Sequence, residues 1–275
     1  GWDWGRLRNI NYFLENSRQA DASVEAIEHF EGIARYYRAI FYSDMVQRYS
    51  DVPWYDQLLS PTDEDLYKGR DSRETVVNGI MEDLEFASEH VREDVPTGTP
   101  GNWAVKLFYA RFALYEGTFR KYHEELALQS TANTFLTKAS EISKIIMDSG
   151  EFSIYNTGNP ENDYKALFNS QDLTSNSEVI LFNAYDRNKD RSSDPGWIRE
   201  PETSAYIPLL NRNFTGYYQH KGYSNTTDNL ELGGLDFPVY RYAEVLLTYA
   251  EALAELGTLT QADLDVSINL LRSRV

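Results

Sequence analysis

Apolar residues recur three and four positions apart through most of this sequence, and that spacing restricts the fold more than any other property. The clearest case runs from Arg241 to Gly257, RYAEVLLTYAEALAELG. Tyr242, Val245, Leu246, Tyr249, Ala250, Leu253 and Leu256 share one face of a 3.6-residue helix. Glu244, Thr248, Glu251 and Glu255 fall opposite, on the face expected to be wet. Ala243, Ala250 and Ala254 are small enough for a second helix to approach. Gly257 stands where a left-handed C-terminal cap is favoured. Thr260 with Asp263 then reads as the start of another helix, with Leu264, Ile268, Leu271 and Val275 as its stripe. The segment is therefore expected to form a helical hairpin.

The same pattern recurs upstream. Leu7, Ile10 and Leu14 mark a first helix. Ser23 is placed to cap a long one ending near Tyr49, with Ile27, Phe30, Ala34, Tyr37, Phe41, Met45 and Arg48 as its stripe. Pro53 disfavours helix at Val52 and ends that run. Asp71 with Glu74 reads as the next start, with Val76, Ile80, Leu84, Ala87 and Val91 facing inward. After the loop VPTGTPGN, Asn102 is the expected cap of a helix carrying Val105, Phe108, Phe112 and Tyr115. Ala139, Ile142, Ile145 and Ile146 mark a further helix, closed by Gly150. Helices that pair in this way resemble tetratricopeptide hairpins in architecture, although the consensus of that repeat is absent. Stacked hairpins make a rigid scaffold.

Beyond Gly150 the periodicity fails. EFSIY and SEVILFNAY are short strand-like runs. Residues 186–237 are rich in Asn, Asp, Gly, Ser and Tyr, and a stretch that long inside a domain is either functional or disordered. Trp197, Tyr206, Phe214, Tyr217, Tyr218 and Tyr223 argue for function. The formal charge of −17, from 26 basic and 43 acidic residues, argues against a nucleic-acid partner. Cysteine is absent, so disulfide and thiol chemistry are excluded. No apolar run approaches the ~18 residues of a membrane span. The helical pattern continues to the last residues, LLRSRV, and the chain is read as a piece of a longer protein.

DFPVYRYAEVLLTYAEALAELG followed by INLLRSR resembles the C-terminal signature of the SusD/RagB family. WDWGRLRNINYFLEN, YYRAIFYSDMVQRYSDVPW, ETVVNGIMEDLEFA, ARFALYEG, IIMDSGEFSIY and SEVILF follow in that family's order, with Ser50 where the family usually has Gly. The resemblance implies an all-α fold with tetratricopeptide-like hairpins, a loop-rich irregular region and minor short strands. It implies one SusD-like domain over residues 1–275: a mainly helical scaffold over 1–150, a loop-rich, ligand-facing part over 151–237 and a C-terminal hairpin over 238–275. It further implies a non-catalytic, cell-surface glycan-binding protein that delivers its ligand to a SusC-like TonB-dependent outer-membrane transporter. The family's lipid anchor is carried by an N-terminal Cys that is absent from this chain. Peptide binding, as in the RagB-like branch, is the alternative; an α-helical carbohydrate-active enzyme and a purely structural scaffold are more distant ones.

Sugar recognition needs flat apolar faces and planar polar groups. Trp2 and Trp4, flanking Asp3, are placed to stack on a sugar or to close the end of the core. Trp197 lies in the polar turn DPGWIRE with Arg199 close by. Tyr217 and Tyr218 lie in NFTGYYQH beside Asn213, and neighbours in an extended segment face opposite ways, so one of the two is expected to reach ligand. Trp54, Tyr55 and Trp103 are assigned to packing. Glu244, Glu251 and Glu255 are read as a solvated face rather than as glycosidase carboxylates. His29, His90, His123 and His220 show no metal-ligand spacing. No cofactor is expected; calcium stays open.

Overall fold

A computed structural model of the chain describes residues 4–170, 172–184 and 236–274. These fall into two compact units. The first comprises residues 1–148 and 248–259, the second 149–247 and 260–275, within the described ranges.

The first unit is a run of helices. α1 (Gly5–Asn16) packs on α2 (Val24–Tyr49), α2 on α3 (Arg73–His90), and α3 on α4 (Asn102–Tyr122). α5 (Gln129–Ser149) follows. α2 has 26 residues and so extends roughly 40 Å. The Ser23 hydroxyl accepts from the Ala26 amide and caps it, as its place in the sequence predicts. Gly150 (φ 74°) and Gly257 (φ 72°) take the left-handed conformation expected of C-terminal caps.

Three expectations about this unit are corrected. Of the expected stripe Met45 is buried, but the rest of the inward face of α2 is His29, Gly32, Tyr36, Ala39, Tyr42, Ser43 and Val46, and Phe30 is 54% and Tyr37 46% exposed. Apolar side chains occur on both faces of α2, and the buried face also carries Glu31 and Arg38, which apolar periodicity does not count. α3 is capped by Ser72, whose hydroxyl accepts from the Thr75 amide, while Asp71 instead accepts from the Trp54 amide at 2.7 Å. Asn102 begins α4 but serves α3: its amide donates to the carbonyls of Ser88 (2.8 Å) and Val91 (2.9 Å), satisfying the open C-terminal end of that helix.

The helical contacts are stitched by buried charge. Glu31 of α2 accepts from Ser17 (2.6 Å) and Arg18 (2.8 Å). Arg38 of α2 meets Asp83 of α3, with Nε and Nη2 each donating at 2.7 Å. Arg73 of α3 and Arg120 of α4 both donate to Glu116, at 2.6 and 2.7 Å. Planar guanidinium groups suit such sites because each satisfies several acceptors at once.

In the second unit, α6 (Pro160–Asn169) precedes a two-stranded antiparallel sheet, β1 (Val179–Asn183) with β2 (Phe237–Arg241). EFSIY is not a strand. Glu178, fully buried, accepts from Arg241 (3.0 Å) and Arg274 (2.5 Å). α7 (Tyr242–Leu256) contributes its first turns, through Leu247, to this unit. Thr248, expected on the wet face of α7, is 4% exposed; a threonine flanked by Leu246, Tyr249 and Ala250 does not by itself mark a solvated face. The helix expected after Thr260 is two short ones, α8 (Gln261–Asp265) and α9 (Ile268–Arg272). Its expected capping box is present: the Thr260 hydroxyl accepts from the Asp263 amide, and the Asp263 carboxylate accepts from Thr260.

Candidate functional site

Of the residues assigned to ligand from the sequence, Trp2, Asp3, Trp197, Arg199, Asn213, Tyr217 and Tyr218 lie outside the described residues. Trp4 lies within them, and its surroundings form a site in the first unit. A cavity of about 320 Å³ is lined by Trp4, Leu7, Arg8 and Asn11 at α1 and by Tyr55, Gln57, Leu59, Ser60, Pro61 and Leu66 from the segment that follows α2. The Trp4 ring stands edge-on to the Tyr55 ring, centroids 5.4 Å apart, and 5.7 Å from Phe41. Two aromatic walls meeting at an angle of 79° present apolar faces in two directions, while Gln57, Ser60 and Arg8 add polar groups at the same cavity. This is the mixture that a sugar requires: C–H surface against rings and hydroxyls against donors and acceptors.

Trp54 and Tyr55, both expected from the sequence to pack, are separated by the structure. Trp54 packs 4.3 Å from Tyr42 and against Gly79, where an added Cβ would come within 2.4 Å of the indole. Tyr55, one residue on, faces the cavity. Its hydroxyl donates to the Asp65 carbonyl at 2.9 Å, and Lys68 Nζ lies 4.9 Å from its ring.

The backbone that carries Tyr55 is held by side chains. Its amide donates to the Tyr42 hydroxyl at 2.6 Å, and its carbonyl accepts from Asn11 Nδ2 at 3.0 Å. Asn11 Nδ2 also reaches the Gln57 carbonyl at 3.1 Å. Arg38 Nη1 donates to the Asp56 carbonyl and to Asn11 Oδ1, both at 3.0 Å. Burial pushes the Tyr42 phenol well above its usual range, so it stays protonated and able both to donate and to accept. Burial also pushes the Asp83 carboxyl up, while the Arg38 guanidinium works in the opposite direction. The signal for this network in the sequence is slight: Asn11 interrupts the apolar face of Leu7 and Leu14, and Arg38 sits on the inward face of α2.

Glu255 accepts from Lys121 and from the Tyr122 hydroxyl, both at 2.8 Å. Among the described residues no group of three or more His, Cys, Asp or Glu side chains could hold a metal ion. No helix among them is long and apolar enough to cross a membrane.

The helices of the first unit thus hold an aromatic-walled cavity at Trp4 and Tyr55. The chain belongs to the SusD family, whose sequence model matches residues 108–275. SusD-like protein P25 of Formosa agariphila is 28% identical over 114 residues, which is 40% of this chain and 21% of that protein. A SusD superfamily protein of Parabacteroides distasonis superposes with a TM-score of 0.69 at 19% identity, over 98% of this chain and 64% of that one. A SusD-like carbohydrate-binding protein of Bacteroides fragilis gives 0.67 at 19% identity, over 98% and 63%. A laminarin-binding SusD-like protein gives 0.64 at 16% identity, over 97% and 68%. At these identities the structural likeness is one of fold, and the chain spans less than two thirds of the Parabacteroides and Bacteroides proteins. The all-α, hairpin-built architecture expected from the sequence is the one observed.

Proposed function

We propose that this chain is the glycan-binding part of a non-catalytic, cell-surface protein, and that the cavity between Trp4 and Tyr55 is one of its ligand contacts. The observation that carries this reading is the pair of aromatic walls, Trp4 at the start of α1 and Tyr55 in the segment after α2, in a SusD-family chain. Carbohydrate and laminarin binding by proteins of the same fold supports it. Trp2, Asp3, Trp197, Arg199, Asn213, Tyr217 and Tyr218 are proposed as further contacts on the strength of their residue types. The bound glycan is passed to a SusC-like TonB-dependent transporter, and the whole protein is held at the outer membrane by a lipid. No cofactor takes part in this reading, and calcium stays open.

Affinity electrophoresis against a panel of soluble polysaccharides, laminarin included, tests the reading. Retardation by at least one glycan, reduced in Trp4→Ala, is expected. Binding to peptides with no retardation by any glycan would assign the chain to a peptide-binding role. Release of reducing ends, abolished by a single carboxylate substitution, would make it an enzyme.

A further inference from the structure

Three consecutive carbonyls, those of Tyr55, Asp56 and Gln57, each accept a hydrogen bond of 3.0–3.1 Å from Asn11 or Arg38, and the Tyr42 hydroxyl lies at the longer distance of 3.4 Å from the first of them. Carbonyls outside helix and sheet must find their partners in other backbone, in side chains or in water. Here the donors are themselves fixed. Arg38 is oriented by the two-point contact with Asp83, and Asn11 has its amide turned the right way round because Oδ1 accepts from Arg38, leaving both Nδ2 hydrogens for the carbonyls. The chain of contacts therefore runs from a buried carboxylate on α3, through a cation on α2 and an amide on α1, to the backbone beneath one wall of the cavity. Tyr55 has its amide held as well, by Tyr42.

We infer that Asn11 is a positioning residue for the cavity: it sets the angle of the Tyr55 wall against Trp4 and so controls affinity through Tyr55. This rests on the binding role proposed above. Asn11→Asp isolates the effect, because the shape and the acceptor for Arg38 are kept while the two donated bonds are lost. Asn11→Ser, uncharged and too short to reach either carbonyl, serves as a second variant should the carboxylate hinder folding. Calorimetric titration with the tightest-binding glycan of the panel is expected to show at least a tenfold loss of affinity in Asn11→Asp at unchanged stoichiometry. In a Tyr55→Ala background the same substitution is expected to cost less than about twofold, because its route of action is gone; coupling of this kind separates positioning from a general loss of structure. Unchanged affinity in Asn11→Asp, or an equal loss in both backgrounds, overturns the inference. Should the parent bind no glycan at all, the binding proposal falls, and hydrogen exchange decides the positioning role separately. Amides of residues 54–58 exchanging at least tenfold faster in Asn11→Asp support it, and unaltered exchange there overturns it.

Discussion

Removal of Asp83 is expected to destabilise the helical unit severely, and the geometry says by how much. The Asp83 side chain is 2% exposed and that of Arg38 6%, and the two share two hydrogen bonds of 2.7 Å. Arg35 Nη1 also approaches Asp83, at 3.6 Å. Asp83→Ala would leave Arg38 buried without its counter-charge and with a second cation beside it. Breaking one side of a buried pair costs about 3–5 kcal/mol. For a unit of this size that corresponds to a fall in Tm of roughly 6–20 °C. The loss comes from the stranded charge rather than from the vanished pair, so Arg38→Met/Asp83→Leu is expected to be less destabilised than Asp83→Ala. Thermal unfolding followed by circular dichroism measures all three proteins. A shift below about 2 °C for Asp83→Ala, or a double variant worse than the single, would refute this account of the interior.

Three further outcomes are expected. His29 Nδ1 accepts from the Arg92 amide at 3.1 Å, and burial holds the imidazole below its usual pKa. The unfolded chain therefore takes up that proton first, so stability present above about pH 6.5 declines as pH falls further, and His29→Gln flattens that part of a denaturation profile. Gly117→Val should cost at least about 2 kcal/mol in urea unfolding, because a Cβ there would lie 2.7 Å from Leu136 Cγ and 3.0 Å from its backbone nitrogen. Thr260→Ala removes one half of the capping box and should cost about 1 kcal/mol, visible as faster hydrogen exchange over residues 260–266.

Several helix ends are legible in the sequence because caps are local: Ser23, Gly150, Gly257 and the Thr260–Asp263 box act over a few residues, whereas Asp71 and Asn102 are taken up by other partners. Which face of α2 turns inward is not. Ile27, Phe30 and Tyr37 are as apolar as the residues that are buried, and the decision falls to partners distant in sequence, such as Asp83 for Arg38 and Val91 for Gly32, whose added Cβ would lie 2.7 Å from Val91 Cγ2. The candidate site divides in the same way. Trp4 could be picked out from its residue type and its place at the start of α1. Tyr55 could not, because its role depends on side chains 13 and 44 residues away that turn its backbone toward the cavity. Trp54, adjacent and chemically similar, is turned into the packing instead.

The central claim is that Trp4 and Tyr55 form a sugar-binding wall. The most direct test is calorimetric titration of the best glycan into the parent chain, Trp4→Ala and Tyr55→Ala, with thermal unfolding run in parallel. Each substitution should weaken binding at least tenfold, about 1.4 kcal/mol, while the protein remains folded. A parent that binds glycan with an affinity neither substitution alters would contradict the claim and move the site elsewhere on the chain.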